Sequence, residues 1–258
     1  SPKLAASCVT PVRDGMDIVT NNETILESRR TVLEFIFSER NHNCMFCPKS
    51  GECELQKLAY ELQMDHLTVS PSFDEFPTDI TSEYMGIDHN RCVLCGRCVR
   101  ACHEISGARV LNFINRGPES LIGLDLNTAR EDSVCFGCGA CIQVCPTGAL
   151  FNRYRSHYAV KGHRTDWESV ESVCPQCGLL CPAVFYTQDN NLIKVEGFID
   201  TVADTRPDRG QLCHKLRFDA LKNSGSRLIH TLIKNAKGDW AEKGWDDALD
   251  VTARKLQA

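Results

Sequence analysis

Fifteen of the sixteen cysteines of this chain are spaced as ligands of metal clusters. These fifteen form four groups, in which most neighbouring cysteines are separated by only two or three residues. Cysteines this close in sequence bridge poorly to one another, whereas their thiolates can surround a metal centre. A secreted chain held together by disulfide bonds is therefore disfavoured.

The strongest pattern is the spacing C-x2-C-x2-C-x3-C, which occurs twice. Three cysteines of such a run hold three corners of a 4Fe–4S cluster, and the fourth binds the other cluster of the pair. We therefore expect Cys145 to complete the cluster of the first run and Cys102 to complete that of the second. Two structural zinc sites are disfavoured, because zinc favours two separated CxxC pairs. The pair of runs, with its Cys-Pro-Thr-Gly-Ala ending, resembles the bacterial two-cluster ferredoxin unit. The first repeat is Cys92, Cys95, Cys98 and Cys102, and the second repeat is Cys135, Cys138, Cys141 and Cys145.

Three further cysteines, Cys44, Cys47 and Cys53, follow the spacing C-x2-C-x5-C. The run resembles the cluster site of the complex I large iron–sulfur subunit, which uses one histidine and three cysteines. In that family the histidine commonly lies four residues before the first cysteine, where this chain has Arg40. His42 lies two residues before it, in a run similar to one in diaphorase subunits of NAD-coupled hydrogenases, and this resemblance implies that His42 is the fourth ligand. The alternative is a surface histidine beside a cluster whose fourth ligand lies elsewhere. These four residues are called the histidine motif below.

A fourth group, the hairpin motif, combines Cys174, Cys177 and Cys181 with the distant Cys213. It resembles the N-terminal 4Fe–4S domain of molybdopterin oxidoreductases. In formate dehydrogenases and periplasmic nitrate reductases, a lysine two residues beyond the last cysteine connects this cluster to the pterin. Lys215 matches that position, so the resemblance implies that Lys215 binds the pterin and relays electrons. The alternative is an ordinary solvated amine.

The sixteenth cysteine, Cys8, stands alone, and such a cysteine is more often structural. Its surroundings, Ala-Ser-Cys-Val-Thr-Pro-Val, resemble the final ligand of a plant-type 2Fe–2S domain in the same subunit family. The resemblance implies that Cys8 binds a 2Fe–2S cluster whose other ligands precede Ser1. Because the chain opens at Ser1 and stops at Ala258 within a helical pattern, we interpret it as an internal portion of a longer protein.

The segments between the cysteines predict an α+β fold, a string of small iron–sulfur domains. Apolar residues at helical spacing predict a helix over 22–39 and a second helix over 53–64. Two prolines and several acids mark 71–81 as a linker. Two strands flank a turn at 188–191, and a final helix covers 245–256. The predicted domains are the end of a plant-type 2Fe–2S domain (1–20), a His/Cys3 4Fe–4S domain (21–70), a two-cluster 4Fe–4S ferredoxin domain (80–155), a molybdopterin-oxidoreductase 4Fe–4S domain (168–222) and the truncated start of a pterin-binding domain (223–258).

The composition excludes several classes of protein. A net charge of −5 argues against a nucleic-acid partner, which would favour a basic face. No run of 18 apolar residues occurs, so no segment is expected to span a membrane. No glycine-rich dinucleotide fingerprint follows a predicted strand, so the chain itself is not expected to bind NAD.

The order of the motifs resembles the alpha subunit of soluble, NAD-dependent formate dehydrogenases over nearly the whole chain. This resemblance implies four 4Fe–4S clusters, part of a 2Fe–2S cluster at Cys8, and a downstream molybdenum or tungsten bis-pterin guanine dinucleotide centre that acts on formate or CO2. It also implies a cytoplasmic complex with a flavin- and NAD-binding diaphorase-type subunit and further iron–sulfur subunits. Electrons would pass from the pterin by way of Lys215 through the clusters to the flavin.

Three other functions remain open. The first is a non-catalytic iron–sulfur subunit of a complex I-like or electron-bifurcating hydrogenase complex, although complex I usually has a single cluster where this chain has both repeats. The second is an iron-only hydrogenase, whose catalytic motifs would follow Cys145, where this chain has the hairpin motif instead. The third is a free electron carrier, which would not need the tail at 227–256 that resembles the entry to a pterin domain.

Overall fold

The computed structural model describes residues 4–125, 132–154, 167–199, 210–222, 228 and 230–257. The chain divides into two compact units, residues 1–221 and 222–258. The predicted domain limits at residues 155 and 223 lie outside the described residues, and the predicted division into five domains stays a prediction. Among the described helices, none is both long enough and apolar enough to cross a membrane.

The described elements are short and separated by the cysteine-bearing loops. The helices are α1 (Glu23–Glu39), α2 (Glu54–Glu61), α3 (Arg97–Arg100), α4 (Ala140–Gln143), α5 (Ala220–Lys222) and α6 (Trp245–Gln257). The strands are β1 (Thr78–Asp79), β2 (Met85–Asp88), β3 (Leu111–Ile114), β4 (Leu121–Leu124), β5 (Leu150–Asn152), β6 (Glu168–Val173), β7 (Pro182–Gln188), β8 (Asn191–Glu196), β9 (Thr231–Lys234) and β10 (Trp240–Lys243). Single turns of 3-10 helix cover Ser7–Val9, Cys44–Phe46, His89–Arg91 and Gly117–Glu119, and π-helical turns cover Ala101–Ile105 and Lys215–Asp219.

The helices α1 and α2 hold the histidine motif between them. The Asn22 side chain caps α1 by accepting a hydrogen bond from the backbone N–H of Ile25 at 2.9 Å, which confirms the predicted start of this helix. The two helices share a small apolar core of Leu33, Leu55 and Leu62. Helix α2 ends at Glu61, three residues before the predicted end, because Gln63 adopts a left-handed conformation (φ 54°).

The two repeats fold into an approximately twofold arrangement. Strand β2 precedes the first repeat and pairs with β5, which follows the second repeat, while β3 and β4 pair with each other between the two. All these pairs are antiparallel, and β1 extends the outer sheet beside β2. The buried faces meet in one core, which includes Met85, Ile87, Ile122, Leu124 and Leu150 together with cysteines of both repeats. The topology therefore places the two cysteine loops around a common core.

The hairpin motif is mounted on a three-stranded antiparallel sheet of order β6–β7–β8. The predicted pair of strands is confirmed as β7 and β8, with a β-bulge at Tyr186 and Thr187. Strand β6 was not predicted, and it leads directly into the loop of Cys174. In the second unit, β9 and β10 form an antiparallel pair. Helix α6 follows them and confirms the helix predicted over 245–256.

Candidate metal centres

Four cysteines from both repeats line a cavity of about 340 Å³, which we call cavity I. Burial, together with the charge of a nearby Cys145 thiolate, raises the pKa of Cys92 to about 11 and that of Cys98 to about 12. Each thiol would therefore stay protonated unless a metal replaced its proton. The Cys145 sulfur also lies 3.8 Å from the Thr147 hydroxyl, which donates a hydrogen bond to the Arg91 carbonyl at 2.6 Å. The cysteines that line cavity I are Cys92, Cys95, Cys98 and Cys145.

The reciprocal set lines a second cavity of about 350 Å³, cavity II. Its cysteines are Cys102, Cys135, Cys138 and Cys141. Helices α3 and α4 begin directly after Gly96 (φ 70°) and Gly139 (φ 71°), whose left-handed conformations turn the cysteine loop into the helix. Cys98 and Cys141 then lie in the first turn of these helices, buried beside the cavities. The structure thus brings together the two crossed sets of four cysteines that the spacing predicts.

The histidine motif surrounds a third cavity of about 300 Å³, cavity H. Burial lowers the pKa of His42, which favours the neutral imidazole that a metal requires. The Nε2 atom of His42 lies 3.4 Å from the carbonyl oxygen of Ile36, so a proton on Nε2 leaves the Nδ1 lone pair available for a metal. Burial also raises the pKa of Cys44 and of Cys53. The residues at this cavity include His42, Cys44, Cys47 and Cys53.

The hairpin motif is more open. Cys174 is buried after β6, and its N–H donates a hydrogen bond to the Cys181 carbonyl at 2.8 Å. Leu212, the residue before Cys213, packs in the same apolar core as Cys174 and Cys181. Cys177 and Cys213 themselves are exposed. The fold therefore brings the four cysteines to one end of the sheet.

Two predicted site residues lie at the surface. Cys8 is exposed in the 3-10 turn Ser7–Val9. Lys215 is exposed at the start of the π-helical turn that follows Cys213. The cluster-ligand role of Cys8 and the relay role of Lys215 therefore stay predictions.

The donor sets of cavities I, II and H fit iron–sulfur clusters better than single ions. A structural zinc ion binds its ligands at about 2.0–2.3 Å, which draws four donors closely together. Within the described residues, no group of three or more His, Cys, Asp or Glu side chains is arranged to hold one metal ion. Instead, four cysteine or histidine side chains are among the residues that line each of the three cavities, whose volumes are about 300–350 Å³. When bound, a 4Fe–4S cluster would supply one-electron chemistry at such a site.

Sequence patterns did not reveal three buried cations, Arg40, Lys194 and Arg217. Arg40, at the position where the resembled family has its histidine, is only 1% exposed and donates hydrogen bonds at 2.9 Å to the carbonyls of His89 and Ser120. Lys194 on β8 and Arg217 after Cys213 are also buried. In a single sequence, no spacing pattern distinguishes a buried arginine or lysine from a solvated one. Only the neighbouring cysteine motifs could have drawn attention to these residues.

Comparison with known protein families matches two stretches of the chain. Residues 29–67 match the NADH-ubiquinone oxidoreductase-G iron–sulfur binding region. Residues 82–151 match the ferredoxin-like domain of NADH-quinone oxidoreductase subunit 3. The first stretch contains the histidine motif, and the second contains both repeats.

Relatives resemble the chain over much of its length. The NADPH-Fe(3+) oxidoreductase subunit alpha of Geobacter sulfurreducens is 29% identical over 91% of this chain and 26% of its own length. The NADP-reducing hydrogenase subunit HndD of Solidesulfovibrio fructosivorans is 36% identical over 66% of this chain and 27% of its own length. A crystal structure of an NAD+-reducing NiFe hydrogenase is 35% identical, with a TM-score of 0.55 over 58% of this chain and 64% of that one. The chain thus spans about a quarter of the length of the two curated relatives.

Proposed function

We propose that this chain is the electron-transfer portion of a multi-subunit oxidoreductase, because residues 29–67 match the NADH-ubiquinone oxidoreductase-G iron–sulfur binding region and residues 82–151 match the ferredoxin-like domain of NADH-quinone oxidoreductase subunit 3. The observation that carries the proposal is the set of three cavities, each lined by four cysteine or histidine side chains. With the hairpin motif, these sites would hold four 4Fe–4S clusters in series. The protein itself would space the clusters, exclude water and adjust their reduction potentials through ligands and hydrogen bonds.

Metal analysis tests this proposal directly. The purified protein should contain at least about 16 iron atoms and a similar amount of acid-labile sulfide, four of each for every complete cluster. On reduction it should give the paramagnetic signals of several reduced clusters. A protein with zinc in place of iron, or with no labile sulfide, would refute the assignment.

A finer proposal concerns the source of the electrons. We propose that a molybdenum or tungsten bis-pterin centre downstream of this chain oxidises formate or reduces CO2, and that Lys215 connects it to the hairpin cluster. Support comes from the exposed position of Lys215, two residues after Cys213, and from the order of the motifs. The flavin- and NAD-binding partner and the cytoplasmic location belong to the same proposal.

Metal analysis and an activity assay on the intact parent complex test this finer proposal. It should contain molybdenum or tungsten and should reduce an acceptor with formate. Lys215→Ala should slow reduction of the clusters by formate while the iron content stays unchanged, and Lys237→Ala, which removes an exposed lysine of the second unit, should have no effect. A complex with neither metal nor formate activity would contradict the pterin assignment without affecting the iron–sulfur assignment.

The second candidate is a non-catalytic iron–sulfur subunit of a complex I-like or hydrogenase complex. It is favoured by the likeness to a hydrogenase subunit over 66% of the chain and to the solved hydrogenase structure. In that case the clusters would be reduced by NADH or by hydrogen through partner subunits, and not by formate. The rates at which formate, NADH and hydrogen reduce the clusters of the intact complex distinguish the two candidates.

A further inference from the structure

One buried side chain connects the second repeat to the hairpin motif. Arg217 is 4% exposed and lies four residues after Cys213, whose carbonyl accepts a hydrogen bond from its backbone N–H at 3.1 Å. Its Nε donates to the carbonyl oxygen of Cys138 at 2.7 Å, and its Nη2 donates to Oε1 of Gln143 at 3.0 Å. A third guanidinium nitrogen, Nη1, lies 3.4 Å from the carbonyl oxygen of Val195. One guanidinium thus bonds to the cysteine loop of cavity II and to the hairpin sheet.

The cysteine loop is shaped to admit this side chain. A Cβ atom at Gly139 would overlap the Cδ atom of Arg217, so a larger residue could not occupy the position without displacing the arginine. Gln143 strengthens the junction, because its amide also accepts from the N–H of Gly197 at 3.0 Å and donates to the carbonyl of Gly197 at 2.5 Å. The contacts of Arg217 are therefore part of a defined, buried network.

The charge of this network matters for a cluster in cavity II. Arginine remains protonated even in protein interiors, and the three oxygen atoms that Arg217 contacts are neutral. The carbonyl that accepts from Arg217 Nε at 2.7 Å belongs to Cys138, which lines cavity II, so the guanidinium lies beside this cavity. Reduction adds one electron, and hence one negative charge, to a cluster. A positive charge at short range in a poorly solvated interior favours that change.

We propose that Arg217 is a positioning residue that raises the reduction potential of the cluster in cavity II and fixes this cluster relative to the Cys213 turn. The proposal rests on the proposed iron–sulfur function. It makes a cluster in cavity II easier to reduce than the same cluster would be without Arg217. The positive charge and the hydrogen bond to the Cys138 carbonyl both act on the same loop.

The test is a redox titration of the intact protein monitored by electron paramagnetic resonance. The signal that Cys102→Ala abolishes identifies cavity II. In Arg217→Gln, the equilibrium constant for reduction of this cluster should fall about tenfold, equivalent to about 59 mV for a one-electron couple. Arg217→Lys, which keeps the charge, should recover most of the shift, and the exposed Arg116→Gln should leave every potential unchanged.

A second variant covers the case in which Arg217→Gln fails to assemble the cluster. Gln143→Glu keeps the size of the side chain and places a carboxylate against the guanidinium, so it should lower the same potential. An unchanged cavity II potential in an assembled Arg217→Gln protein, or in Gln143→Glu, would overturn the proposal. A wild-type protein without iron or paramagnetic signals would instead refute the iron–sulfur function itself, so the two failures are distinguishable.

Discussion

Replacement of Cys145 tests whether the two repeats exchange ligands. Cys145 belongs to the second repeat in sequence, yet it lines cavity I with Cys92, Cys95 and Cys98. Burial has the larger effect on the pKa of Cys92 and of Cys98, and the charge of a Cys145 thiolate would add to it because the sulfurs lie close together. Cys145→Ala should therefore remove the cluster of the first repeat and spare the cluster of the second repeat.

Double variants convert this expectation into an iron count. A lost cluster removes about four iron atoms, so Cys145→Ala alone should lower the count by about four relative to the wild-type protein. Cys95→Ala with Cys145→Ala should also cost about four, because both ligands serve cavity I. Cys138→Ala with Cys145→Ala should cost about eight, because these ligands serve different cavities.

The assay is iron and acid-labile sulfide per chain, with electron paramagnetic resonance of the reduced protein as a second readout. Variants that act on one cluster are non-additive, and variants that act on separate clusters are additive. If each repeat instead binds its own cluster, Cys95→Ala with Cys145→Ala should cost about eight iron atoms and Cys138→Ala with Cys145→Ala about four. A loss of about eight from Cys95→Ala with Cys145→Ala would therefore refute the crossed arrangement.

Further predictions concern charge, space and ligand type. Lys194→Met should lower the free energy of unfolding by about 3–5 kcal/mol, because it leaves buried carboxylate charge uncompensated. Lys57→Met, at an exposed ion pair, should cost about 0.5 kcal/mol or less in the same denaturant titration, and equal losses would contradict the reasoning. Gly148→Ala should cost about four iron atoms, because its methyl group would overlap a sulfur of cavity H, whereas Gly244→Ala, with open space around it, should cost none. His42→Cys should lower the potential of one cluster, since a thiolate replaces a neutral imidazole, and identical redox titrations would show that His42 is not a ligand.

Cysteine spacing predicted the groups of candidate ligands because cluster geometry restricts the spacing of residues on one loop. The crossed sets are a more demanding prediction, because Cys102 and Cys135 lie far apart in sequence. The antiparallel pairing of β2 with β5 and of β3 with β4 brings them to one cavity. The ligand roles themselves remain predictions that the variants above test.

Other features had too weak a pattern to be predicted. Strand β6, Glu-Ser-Val-Glu-Ser-Val, is exposed along its length, so it has no alternation of buried and exposed side chains to reveal it. Its partner β7 places it, through a six-residue antiparallel register from Glu168 to Val173. The end of α2 depends on the left-handed conformation of Gln63, a residue type that sequence rules do not favour there. For β6 the deciding contact, its pairing with β7, lies outside the strand's own sequence.

The buried cations show why ligand identity alone cannot set the potentials of such a chain. Thiolate ligands of successive clusters accumulate negative charge in a poorly solvated interior, and each added electron increases the repulsion. Arg40 lies where its charge acts on both His42 and Cys92, although burial has the larger effect on the pKa of each. Arg217 occupies the corresponding place between cavity II and the hairpin motif. Because each arginine is buried between two predicted cluster sites, the relative potentials of neighbouring clusters should depend on these two charges as well as on the ligands.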